Sequence, residues 1–137
     1  MGKAMVTPSL VRWCIGGIGG VLILLNALHL TVGFARLQRA LTEEPIPDRF
    51  AEPLKTAWLY LGSVSLLLGV LLLWLLPEIQ LGRPAAWKAV VWVGLALVAT
   101  GISAYLATRN HPGLLFLCLL GLVLLIPLLY YRDHFQK

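Results

Sequence analysis

The sequence predicts an all-α integral membrane protein, four transmembrane helices in an up-down-up-down antiparallel bundle. Two observations carry that prediction. Of the 137 residues, 59% are apolar and only 12% charged, where a soluble domain is about half apolar and about a quarter charged. A water-soluble fold of this size cannot hide such an excess, because a small domain leaves much of its surface in solvent. The apolar residues are also segregated into four uncharged runs of spanning length, at 13–35, 56–77, 89–108 and 112–131. About 20 apolar residues at about 1.5 Å each cross a hydrocarbon core of about 30 Å. None of the runs alternates polar with apolar residues as a barrel strand does, so the backbone has to satisfy itself as helix.

The first run follows Lys3 and Arg12 and contains Gly33-Phe34-Ala35, a loose small-x-small cleavage pattern. Its apolar stretch is longer than a signal-peptide core, so it is read as a mature helix. Gly16 and Gly20 form a G-x-x-x-G pair within a cluster that includes Gly17 and Gly19. Such small residues let helices approach closely in lipid. The connection 36–55 is long, mixes acidic and basic residues, and is broken by Pro45, Pro47 and Pro53. Leu37, Ala40 and Leu41 can prolong the first helix beyond the membrane, and Asp48–Glu52 is expected as a short surface turn. A long connection on a small scaffold is a candidate functional element.

In the second run Gly62, Ser65 and Gly69 share one helical face; in the third, Ala96, Thr100, Ser103 and Ala107 do. Short connections around Pro77 to Pro84 and at Asn110-His111-Pro112-Gly113 make successive helices antiparallel neighbours. The fourth run is rich in leucine and poor in small residues, so it is expected to face lipid or a broad partner, with a kink at Pro127. His134 lies in a tail expected to be exposed. Trp and Tyr residues, Trp58 among them, sit near the predicted helix ends as interfacial anchors. Cys14 and Cys118 fall toward opposite membrane faces, too far apart for a disulfide.

An even number of spans puts both termini on one side. That side carries Lys3, Arg12, Arg83, Lys88, Arg132 and Lys137, against Arg36, Arg39, Arg49, Lys55 and Arg109 on the other. The small excess favours cytoplasmic termini. The net charge of +5 lies at helix ends, where it meets lipid head groups, and no nucleic-acid motif accompanies it.

Polar residues within the spans gather on the side away from the termini. His29 is the centre of this group. Asn26, His29 and Gly33 share a face of the first helix, and His29 lies roughly 9 Å inside its end at about 1.5 Å per residue. Tyr60 and Ser63 of the second span, Ser103 and Tyr105 of the third, and Arg109 and His111 in the following turn reach the same half. A membrane histidine can move a proton, ligate a metal or haem, or hydrogen-bond a neighbouring helix. A polar pocket around His29, lidded by the connection 36–55, is one expectation. Interhelical bonding worth about 0.6 kcal/mol per hydrogen bond is the simpler one. A His29–His111 pair could hold a haem or metal, but no third Cys, His, Asp or Glu stands inside a span to complete a metal shell, and no catalytic triad is apparent.

Three functions follow as expectations, and none requires an enzyme. The first is an accessory or scaffolding subunit of a larger membrane assembly, in contact with the bilayer and with other membrane proteins or copies of itself. The second is a binder of a lipophilic molecule, such as a quinone, lipid or haem, through the His29 group. The third is a small transporter. In size and helix count the chain resembles the small multidrug resistance exporters, which carry a membrane-embedded glutamate in the first helix; here no acidic residue lies inside any span.

Overall fold

A computed structural model describes residues 8–108 and 115–135. The protein is all-α, with no strand among the described residues. Its helices are α1 (Ser9–Leu28), a π-helical turn (His29–Gly33), α2 (Phe34–Glu43), α3 (Asp48–Gln80), α4 (Pro84–Thr108), α5 (Leu115–Tyr130) and α6 (Arg132–Phe135). Three helical stretches, Ser9–Glu43, Asp48–Gln80 and Pro84–Leu106, are long and apolar enough to cross a membrane, and Leu115–Tyr130 is a shorter apolar helix. The chain is a multi-pass membrane protein. It divides into two compact units, a hairpin unit Gly19–Leu71 and a terminal unit of Met1–Ile18 with Leu72–Lys137.

The hairpin unit departs from the expected long connection. Of residues 36–55, only 44–47 are not helical. The charges that bound the uncharged run do not end the helix, because Arg36 and Arg39 are good helix formers. The break comes at Pro45 and Pro47, which have no amide hydrogen and disfavour helical geometry in the residue before them. Glu44 accordingly sits at φ −124° and ψ 82°. Pro47 already starts the next helix, its carbonyl accepting from Phe50 N–H at 2.8 Å. Asp48 follows in the first turn, where a carboxylate meets the positive end of the helix dipole. Pro53 does not break α3 as expected. It stands early in the helix, on an exposed position, where it forfeits one bond to a carbonyl that solvent can reach.

The two arms of the hairpin touch backbone to backbone. A methyl group on Gly69 would lie 2.9 Å from the Gly19 carbonyl oxygen and 3.0 Å from Leu22 and Ile23 side-chain atoms, closer than real side chains approach. Gly62 meets Leu30 and His29, and Gly33 meets Trp58. Contacts that climb one arm while descending the other make the arms antiparallel. Gly62, Ser65 and Gly69 are all buried.

In the terminal unit, α4 and α5 pack in the same antiparallel sense. Gly94 meets Leu125, Val98 meets Gly121, and Gly101 meets Cys118. A methyl group on Gly121 would lie 2.7 Å from the Gly94 carbonyl oxygen and 2.9 Å from the Val98 nitrogen. Leu120, Gly121, Leu124, Leu125, Pro127 and Leu128 form the buried face of α5. The leucine-rich helix, expected to face lipid or a broad partner, presents one face to α4, and Gly94, Gly101 and Gly121 permit the approach. The face of α4 that meets α5 is Gly94–Val98–Gly101; Ala96, Thr100 and Ser103 are exposed on another side, and the side chain of Ala107 lies outside the described residues.

The C-terminal segment is not an exposed tail. Phe135 is 1% exposed and stacks against Trp87 with ring centroids 6.4 Å apart. Trp87 Nε1–H donates to the Leu128 carbonyl at 3.0 Å. His134 is half-buried, with its Nε2 out of reach of solvent. Cys14 and Cys118 are both free thiols.

Candidate functional site

The polar centre of the hairpin unit is a pair of rings. His29 opens the π-helical turn, in which Phe34 N–H reaches back to the His29 carbonyl. The extra residue in a π turn re-aims the side chains around it. The His29 imidazole stacks on the Trp58 indole, centroids 4.2 Å apart and planes within 7°. Two hydrogen bonds reinforce the stack. Trp58 Nε1–H donates to the His29 carbonyl at 3.2 Å, and His29 Nε2 lies 3.3 Å from the Trp58 carbonyl. A carbonyl only accepts, so Nε2 carries the proton in this pairing and Nδ1 is the acceptor.

Each ring also lies over a glycine of the opposite arm. The Trp58 ring is 3.2 Å from the position a Cβ of Gly33 would take, and the His29 ring is 2.8 Å from the corresponding position of Gly62. His29 and Gly33 are four residues apart, as are Trp58 and Gly62, so ring and glycine occupy successive turns of one face. The sequence thus writes the clamp twice, as H-x-x-x-G and W-x-x-x-G. An interfacial anchoring role for Trp58 overlooks that reciprocity.

The other expected residues are placed differently. Asn26 donates Nδ2–H to the Leu22 carbonyl of its own helix at 2.8 Å. Thr31 does the same to Ala27 at 2.7 Å. Tyr60 is 72% exposed and Ser63 is exposed; they stand about 200° and 140° round α3 from Trp58 at about 100° per residue. Ser103 and Tyr105 belong to the terminal unit and are exposed. Arg109 and His111 lie outside the described residues. Of the predicted group, the structure brings His29 to a new partner and does not bring Tyr60 or Ser63 to it. Among the described residues, no three His, Cys, Asp or Glu side chains come together as a metal site.

No protein-family model, curated protein or solved structure matches this chain.

Proposed function

We propose that this protein is an accessory or scaffolding subunit of a larger membrane assembly. The observation that carries this reading is the unused side of α4. Gly94 and Gly101 are consumed by α5, while Trp92, Ala96, Thr100 and Ser103 stand exposed at helical spacing on another side. Small residues gain nothing from lipid contact that leucine would not supply better, but they let a second helix approach closely, which is what drives association in a bilayer. The His29–Trp58 pairing supports the same reading. It gives the membrane histidine a structural task, whereas a quinone, lipid or haem at His29 would have to compete with the indole. In this reading all four apolar helices cross the bilayer and both termini face the cytoplasm.

Site-directed crosslinking tests the proposal. Photoreactive side chains are placed at Ala96, Thr100 and Ser103, with Leu106 and Ile126 as exposed apolar controls, and are activated in native membranes. Discrete adducts, to another membrane protein or to a second copy, are expected from the first three positions only. Uniform lipid adducts at all five, from a protein that purifies as a stable partner-free monomer, would refute it.

A further inference from the structure

We infer that the groove at the α3–α4 turn of the terminal unit binds a zwitterionic phospholipid with a free ammonium head group, a phosphatidylethanolamine. The groove has a volume of about 580 Å³, and Trp74, Leu75, Pro77, Glu78, Arg83 and Ala86 are among its lining residues. That volume lies within the range of small-ligand sites, about 300–1,000 Å³.

The turn builds the charged end of the groove. Gly82 adopts φ +69°, a left-handed geometry that glycine accepts at no steric cost. It ends α3 in a Schellman motif: Arg83 N–H donates to the Glu78 carbonyl at 3.1 Å and Gly82 N–H to the Ile79 carbonyl at 2.9 Å. The bond from Arg83 back to Glu78 brings their side chains together as well. Arg83 Nη1 meets Glu78 Oε2 at 2.5 Å, with the side chains 62% and 38% exposed.

The chemistry of this pair selects the occupant. Arg and Glu neutralise one another, so the rim offers no net charge to an anionic lipid. It offers a dipole, positive at Arg83 and negative at Glu78. A head group with phosphate and ammonium a few bonds apart matches that dipole when it lies alongside in the opposite sense. Guanidinium carries five N–H donors and the ion pair leaves most of them for phosphate. The carboxylate accepts from an ammonium N–H, which ethanolamine has and choline lacks. Trp74, 73% exposed, places an indole beside the charges, the arrangement expected where head groups give way to acyl chains. Exposed Pro77 and Ala85, above buried Leu75 and Ala86, supply the apolar lining that an upper acyl chain would cover.

The test is native mass spectrometry of the purified full-length protein, titrated with phosphatidylethanolamine, phosphatidylcholine and phosphatidylglycerol of identical acyl chains. Ethanolamine lipid is expected to be retained about tenfold more tightly than either other, the worth of one charge-assisted hydrogen bond. Glu78→Gln should erase the advantage over phosphatidylcholine. Arg83→Gln should weaken all three, and Arg83→Lys should restore part of the loss. Equal retention of the three lipids by the unaltered protein, preference for phosphatidylglycerol, or an ethanolamine preference that survives Glu78→Gln would each overturn the proposal. The comparison of lipids on the unaltered chain stands even where a variant fails to fold.

Discussion

If the His29–Trp58 pair is a clamp, its loss should appear as stability and should follow the geometry. Trp58→Phe keeps a ring for stacking and keeps the Trp58 carbonyl, but deletes the Nε1–H bond to His29. One interhelical hydrogen bond in a bilayer is worth about 0.6 kcal/mol, because the unfolded chain finds other partners there. His29→Phe should cost a similar amount, since it deletes only the Nε2 bond. His29→Ala removes that bond and the stacked ring pair, whose contribution beyond contact area is about 0.5–1.5 kcal/mol. The expected loss is therefore about 1–2 kcal/mol, up to roughly thirtyfold in the ratio of unfolded to folded protein. Steric trapping of the full chain in bicelles measures each difference reversibly. The order Ala costlier than Phe at position 29, with Trp58→Phe near the smaller value, is required. A His29→Ala variant as stable as the unaltered protein would refute the clamp. If the same variant lost a bound lipophilic molecule, His29 would instead be a ligand contact.

Four further predictions use the same assay. Gly121→Ala should destabilise the terminal unit by about 1–3 kcal/mol, because the new methyl meets the Gly94 carbonyl and the Val98 nitrogen, backbone that cannot turn aside, as well as the Val98 side chain. Gly17→Ala, which meets nothing within 4 Å, should be neutral or gain up to about 1 kcal/mol from helix propensity. Gly82→Ala forces an L-residue into left-handed geometry and should cost about 1–2 kcal/mol; proteolysis at the α3–α4 turn would accelerate in parallel. Phe135→Ala should cost about 3 kcal/mol by emptying the site under Trp87, and indole fluorescence from Trp87 should shift as its surroundings change.

The helices were legible because lipid leaves the backbone no alternative. A run such as Val64–Leu76 can be nothing but helix once it is known to sit in hydrocarbon. Their ends are less legible, because a charge ends an uncharged run without ending a helix. Arg36 and Arg39 close an uncharged run yet favour helix, and the stop is written in Pro45 and Pro47. The glycine contacts divide in the same way. Gly62, Ser65 and Gly69 follow helical spacing and are buried together. Gly94 and Gly101 are seven residues apart, two full turns, and their counterpart Gly121 stands alone among leucines. No short small-residue pattern marks them, although their backbones approach most closely. His29 is conspicuous as a polar group in an apolar span, while Trp58 is indistinguishable in sequence from an interfacial anchor, because tryptophan is common near helix ends.

This division bears on function. In water, burial of apolar area drives a helix to its neighbour, so an exposed apolar face marks a partner surface. In lipid that signal vanishes, since leucine is as content against acyl chains as against protein. What discriminates a protein-facing side from a lipid-facing one is the capacity for close approach together with hydroxyls that bond across helices. The exposed side of α4 has both, in Ala96, Thr100 and Ser103. The exposed side of α5, with Leu119, Leu122, Val123 and Ile126, has neither. Two helices packed against one another in the same unit thus present opposite kinds of surface, and the proposed scaffolding role assigns its partner to α4 and leaves α5 to the bilayer.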